Sequence, residues 1–190
     1  MEEREVRTVM ETERLVLRKM DPLDLPDLQK ILQDPAVMYA YEGPFDEAET
    51  QAWLNKQLRR YQEDGVGLYA VILKTAGGTG PGHMIGQCGL TMQEIPEKRV
   101  LEVGYLFQKA YWHQGYATEA ARACRDYAFT VLGAEEVFSI IRDTNIPSQK
   151  VAVQNGMVKT GTFVKHYRGV EMPHYIFSVK RGGDRDPVSC

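Results

Sequence analysis

The spacing of apolar and polar positions changes period several times along the chain, and each change predicts an element. Arg14-Leu15-Val16-Leu17-Arg18-Lys19 alternates in the manner of a half-buried strand. Asp21-Pro22 then opens a helix. Asp21 serves as the cap and Pro22 takes the first helical position, after which Leu23, Leu25, Leu28, Ile31 and Leu32 recur near helical spacing until Asp34-Pro35 stops the run. Asp46-Glu47-Ala48-Glu49, an acidic cap with Glu three positions later, predicts a second amphipathic helix. Trp53, Leu54, Leu58 and Tyr61 form its apolar face, and it ends near Asp64-Gly65.

From Val66 the period becomes that of strands. Residues 68–73, 84–90 and 100–107 predict an antiparallel meander, with a turn around Pro96 and another in Gly77-Gly78-Thr79-Gly80-Pro81-Gly82. That glycine cluster leads into a strand and lacks the Lys-Ser/Thr ending of a phosphate loop, so it reads as a hairpin turn. A helix follows from about residue 115 to 131, turning Ala120, Ala121, Cys124, Ala128 and Val131 toward the core, with Gly133 closing it. A strand over 137–141 and a short helix capped by Asn145 and ended at Gly156 come next. Two strands near 157–164 and 170–179, joined at Tyr167-Arg168-Gly169, complete the order. The tail from residue 182 has little to bury and is expected to be disordered. No repeat or interdomain linker interrupts the chain, which implies one domain over residues 1–181.

Composition narrows the function classes. The net charge of −3 gives no global support for a nucleic-acid partner, although a local basic pocket for phosphates is compatible with it. No apolar run approaches the roughly 20 residues of a bilayer span, and the start Met1-Glu2-Glu3-Arg4-Glu5 is unlike a secretory signal. Cys88, Cys124 and Cys190 are odd in number and widely spaced, without a Cys-x-x-Cys pair. Neither a disulfide framework nor a metal site is expected, and a reducing cytoplasm fits best.

The candidate chemistry centres on a strand, a loop and a helix start. Tyr105-Leu106-Phe107 runs through Gln108 to Gln114 into Gly115-Tyr116-Ala117-Thr118-Glu119-Ala120. Gly115 and Ala117 are small enough for a ligand to approach the backbone. The unpaired N–H groups of a first helical turn lie at the positive end of the helix dipole, an arrangement that binds pyrophosphate without basic side chains. Taken alone, a tight helix start at Gly115 accounts for these residues equally well.

Several separated segments extend the pattern: Thr12-Glu13-Arg14-Leu15-Val16-Leu17-Arg18, Glu102-Val103-Gly104-Tyr105, Tyr111-Trp112-His113-Gln114-Gly115-Tyr116-Ala117-Thr118-Glu119-Ala120, and Asn145-Ile146-Pro147-Ser148 followed by Gly156-Met157. In this order, over roughly residues 12–181, the chain resembles the GNAT acetyltransferases, in particular the branch that acetylates N-terminal amines of ribosomal proteins. The resemblance implies an α+β fold whose mostly antiparallel sheet of about seven strands, splayed at the cofactor site, is flanked by about four helices. It implies acetyl-CoA as cofactor. The pantetheine arm would pair with Tyr105, Leu106 and Phe107, and the pyrophosphate would sit on the amides of Gln114, Gly115, Tyr116, Ala117 and Thr118, beside His113. Asn145 would contact the arm, with Ser148 nearby. Trp112 stands where the family usually has Gln or Arg, so it and Tyr111 read as packing residues.

An amine of pKa about 10 must lose a proton before it attacks a thioester. Glu102, on the strand carrying the cofactor, is the candidate base, directly or through water; a surface or substrate-anchoring carboxylate is the alternative for it. A main-chain N–H near Tyr105 would stabilise the developing oxyanion, eased by a bulge at Gly104. Many relatives place a tyrosine acid where this chain has Ala152, which leaves Ser148, Tyr105 or solvent to protonate the thiolate. His113, His166 and His174 are lesser candidates for proton transfer. The acceptor would be a protein N-terminus, a small amine or an aminoglycoside-like drug, held by the first two helices and the turn between Lys165 and His174, in a monomer or homodimer. A non-catalytic CoA-binding module is the second class of function. A dinucleotide-binding redox domain is a third, disfavoured because the strands before the loop form a meander.

Overall fold

The computed structural model describes residues 8–75 and 83–182. The glycine-rich turn at 77–82 and the tail beyond 182 lie outside the described residues. Along the chain come β1 (Thr8–Glu11), β2 (Leu15–Arg18), α1 (Leu25–Leu32), α2 (Glu47–Glu63), β3 (Leu68–Leu73), β4 (Met84–Ile95), β5 (Lys98–Phe107), α3 (Tyr116–Thr130), β6 (Glu136–Arg142), α4 (Ile146–Gln154), β7 (Val158–Tyr167) and β8 (Val170–Lys180), with short 3-10 turns at Pro22–Asp24, Met38–Tyr41 and Lys109–Tyr111. The fold is α+β: one sheet in the order β1-β2-β3-β4-β5-β6-β8-β7, antiparallel except where β5 meets β6. It holds one strand more than the sequence suggests, because β1 pairs with β2 ahead of the first apolar alternation. Among the described residues no helix is long and apolar enough to cross a membrane.

Side-chain alternation along the strands divides the core between the two faces of the sheet. On one face Leu15, Leu17, Tyr69, Val71, Ile85 and Val103 meet Ala120, Ala121, Cys124 and Ala128 of α3, whose small side chains let the helix lie close. On the other, Leu68, Ala70 and Met84 meet Leu28, Ile31 and Leu32 of α1 and Leu54 of α2. Val131, expected in the core, is 62% exposed, because the helix ends at Thr130 and its last apolar side chain falls outside the contact with the sheet. The thiols of Cys88 and Cys124 are free and lie 3.7 Å apart in that core.

The sheet comes apart in its middle. β5 and β6 are parallel and register at one pair, Glu102↔Phe138, while β4 and β5 stay paired from Gly86↔Phe107 to Ile95↔Lys98. Ser139 Oγ donates to the Val103 carbonyl (2.8 Å), and beyond that contact the two strands diverge. The β4–β5 ladder is continuous through Gly89↔Gly104, so the bulge expected at Gly104 is absent from it.

Candidate active site

The mouth of α3 is shaped by backbone conformation first. Gly115 caps the helix with φ of 81°, and His113 before it has φ of 60°. The helical ladder begins with the Glu119 N–H donating to the Gly115 carbonyl (3.0 Å), so the amides of Tyr116, Ala117 and Thr118 precede it. A Cβ at Gly115 would be strained by that φ and would lie 3.3 Å from Arg14 Nη2. The mouth is braced from behind by a residue far away in sequence. Arg14 donates through Nε to Glu119 Oε2 (2.6 Å), through its main-chain N–H to Glu119 Oε1 (2.9 Å) and through Nη1 to the Gln114 carbonyl (2.9 Å). Thr12 Oγ1 adds a bond to Glu119 Oε1 (2.5 Å), and the Arg14 guanidinium stacks 4.5 Å from the Tyr116 ring centre. Burial alone would raise the Glu119 pKa, but these donors outweigh it and hold the carboxyl below its ordinary value. A groove of about 860 Å³ runs past this mouth along Thr118, Arg122 and Gln154.

The gap between β5 and β6 opens into a separate cavity of about 450 Å³. Glu102, Gly104 and Leu106 share the face of β5 that looks toward α2, because they alternate with Val103, Tyr105 and Phe107. Gly104 makes room for the carboxylate, since a Cβ there would come within 3.3 Å of Glu102 Oε1. Burial pushes the Glu102 pKa up to about 7, against the pull of Lys165, Arg60 and a hydrogen bond from the Ile140 main chain. Tyr41 stands nearby, its phenol raised well above its ordinary pKa by burial and then by the Glu102 charge. Tyr41, Phe45 and Trp53 pack edge to face as one apolar wall, with ring centres 5.7 to 6.4 Å apart.

Main-chain groups facing the gap alternate along β5 as well. Ser139 Oγ occupies the Val103 carbonyl, and Trp112 Nε1 occupies the Phe107 carbonyl (2.9 Å), leaving the Tyr105 peptide as the open rung between them. The Tyr105 hydroxyl crosses to α4 and donates to the Ser148 carbonyl (2.7 Å), while burial raises its pKa and keeps it protonated. Asn145 Oδ1 caps α4 by accepting from Ser148 N–H (3.2 Å), and it also accepts from Tyr39 Oη (2.9 Å). Ala152 is buried against α3 and has no group to offer the gap.

Of the residues expected at the site, Glu102, Tyr105, Leu106, Asn145 and Ser148 all line the cavity. His113, Gln114, Gly115, Tyr116, Ala117 and Thr118 gather at the α3 mouth instead, and Phe107 packs its ring over Gly86, outside the cavity. His166 is on the exposed rim. His174 is buried, its Nδ1 2.8 Å from the Met172 carbonyl, and burial followed by the charges of Lys165 and Arg142 lowers its pKa. Of the walls expected, α2 lines the cavity through Trp53, Lys56 and Arg60 and the β7–β8 hairpin through Lys165, Tyr167 and Met172, whereas α1 packs on the sheet and lines none of it; Ala40, Tyr41 and Phe45, between the two helices, stand there instead. Sequence reasoning missed Arg14, Glu119, Arg60 and Tyr39. Their partners are brought near by the fold, and only the acidic position of Glu119 in a first helical turn carried a local signal.

A domain profile described as "Acetyltransferase (GNAT) domain" matches residues 14–158. The chain belongs to the GNAT family. This GNAT protein is 36% identical over 160 residues to YkkB of Bacillus subtilis (strain 168), covering 84% of the chain and 90% of the relative. It is 29% identical over 155 residues to the uncharacterized N-acetyltransferase YnaD of the same organism, covering 81% of the chain and 85% of the relative. A crystal structure of a GNAT-family acetyltransferase from Bacillus anthracis superposes with a TM-score of 0.74 at 25% identity, covering 90% of this chain and 97% of that one. RimL, a ribosomal L7/L12 alpha-N-protein acetyltransferase solved in complex with coenzyme A, shares the fold at a TM-score of 0.75 and 16% identity, covering 94% of this chain and 100% of that one.

Proposed function

We propose that this GNAT protein transfers the acetyl group of acetyl-CoA to a primary amine by direct attack in a ternary complex. The observation that carries the proposal is the gap between β5 and β6, which sets a carboxyl of pKa about 7 beside an open strand edge, next to a helix mouth with free amides. GNAT acetyltransferases use acetyl-CoA, and the residues here fit it. The Tyr116, Ala117 and Thr118 amides suit a diphosphate, and the left-handed Gly115 leaves the space a Cβ would fill. The names of relatives such as YnaD support transfer to nitrogen.

Acetyl-CoA bound there supplies an acyl group activated as a thioester. The Tyr105 peptide would pair with the arm, Asn145 would flank it, and the α3 mouth would hold the phosphates. Glu102, deprotonated above about pH 7, takes the proton of the incoming ammonium directly or through water. The Tyr105 hydroxyl, committed to the Ser148 carbonyl, orients α4 against β5, and the Tyr105 main-chain N–H would be the donor to the developing oxyanion. A thiol of pKa about 8.5 leaves with little help, so Ser148 Oγ or solvent suffices in place of the tyrosine that Ala152 replaces.

The test combines calorimetric titration of CoA with turnover on an amine panel. Gly115→Val is expected to abolish CoA uptake. Glu102→Gln is expected to keep uptake and lose turnover. CoA uptake without acetylation of any amine would instead identify a binding module, and absence of uptake by the folded wild type would remove the proposal.

A further inference from the structure

The cavity beside Glu102 has an unbalanced lining. Among the described residues Glu102 is the one acidic side chain in it, against four lysines and arginines: Lys56, Arg60, Arg142 and Lys165. Arg142 is neutralised by Glu42 in an ion pair at the edge of the Met38–Tyr41 turn, yet its Nε is buried without a hydrogen-bond partner. Arg168, on the neighbouring β7–β8 turn, is likewise matched by Glu49. Among the described residues Lys56, Arg60 and Lys165 have no ion-pair partner in contact, although Arg60 also feels the charge of Asp64. Arg60 Nη1 reaches only the amide oxygen of Gln57 (3.3 Å), and neither Arg60 nor Lys165 is in ion-pair contact with Glu102, although both act on its charge across the cavity. They reach the cavity from opposite walls, Arg60 from α2 and Lys165 from β7.

Three cations without a contacting counterion, Lys56 exposed and Arg60 and Lys165 part-buried, around one carboxylate leave an excess of positive charge that favours a ligand carrying both signs. An ammonium needs Glu102 and is repelled by the cations, so a polycation would meet net repulsion here. We infer that the acceptor is a primary amine that also bears a carboxylate or phosphate, its nitrogen directed to Glu102 and its anion to Lys56, Arg60 and Lys165. This rests on the acetyl-transfer proposal and assigns its substrate class. It removes aminoglycoside-like acceptors from the candidates. The aromatic wall of Tyr41, Phe45 and Trp53 provides a surface for an apolar body between the two charged ends.

The test uses matched pairs that differ in one anionic group: phenylalanine and its amide, 6-aminohexanoate and its amide, O-phosphoethanolamine and ethanolamine, and peptides beginning Ala-Asp or Ala-Asn, with spermidine as the polycation. The free acids and the peptides separate a small-molecule source of the anion from a polypeptide one. In at least one pair the anionic member is expected to show kcat/KM at least about tenfold higher. Lys56→Gln/Lys165→Gln is expected to bring that ratio close to one, mostly through KM, while a changed basicity of Glu102 acts equally on both members and cancels. Neutral amines or spermidine reacting faster in every comparison would overturn the inference and leave acetyl transfer standing, as would a ratio indifferent to the double substitution. Acetylation of no member by enzyme that takes up CoA would remove acetyl transfer itself, and this inference with it.

Discussion

An ordinary carboxylate is too weak a base to compete for the proton of an ammonium, and the surroundings of Glu102 change that balance. Burial raises its pKa to about 7, while Lys165, Arg60 and the Ile140 main chain keep it from rising further. The proposed base Glu102 must be ionised to act, so kcat/KM is expected to climb with pH through about 7 and level off above it. Glu102→Gln should abolish that limb and cost roughly 10²- to 10⁴-fold in rate, measured as a pH–rate profile on both proteins. The sign for stability is opposite. Because the folded pKa lies above the unfolded one, the stability contributed by the neutral carboxyl is complete below the ordinary carboxylate range and is lost as pH rises through about 7. Glu102→Gln should therefore melt higher than the wild type at pH 8 and show little difference at pH 4.5. The residue type and its place on β5 were legible in the sequence, but its pKa was not. Arg60, Lys165 and the space beside Gly104 come from three elements whose approach no local pattern encodes.

Elements with their own start and stop signals were legible almost to the residue. Asp46 and Glu49 form the capping box at the head of α2, and Asn145 caps α4. Arg168 and Gly169, both at positive φ, make the two-residue turn between β7 and β8. β1 escaped because Thr8-Val9-Met10-Glu11 is too short to show a period, and its pairing with β2 slips between Thr8 and Met10. The start of α1 shows why caps are more than punctuation. Asp24 lies in the 3-10 turn that Asp21 opens, and its carboxylate forms two bonds to Arg18 of β2 (2.6 and 2.8 Å) with both side chains almost wholly buried. Asp24→Ala leaves that guanidinium uncompensated in the interior. It is expected to cost about 3–5 kcal/mol in chemical denaturation, with the midpoint moved and the slope unchanged.

Across the whole molecule the sheet behaves as two slabs joined along a short seam, β1 to β5 on one side and β6 to β8 on the other, with Glu102↔Phe138 as their registered pair. A cofactor that bridges the two sides stabilises the folded state by mass action. CoA at 100 times its Kd is expected to add about 2.7 kcal/mol, a rise in Tm of roughly 5–10 °C for a chain of this length, read by thermal melting. Gly115→Val should abolish that rise. The brace between Arg14 and Glu119 joins positions 105 residues apart, across most of the elements that lie between the hairpin and the helix. A chain emerging from the ribosome has no partner for Arg14 until α3 is complete, and a half-formed intermediate cannot brace Gln114 at the mouth of α3. If the α3 mouth holds CoA as proposed, capture on the immobilised nucleotide reports on finished molecules alone, and the retained fraction of a refolding sample counts those in which Arg14 has met Glu119.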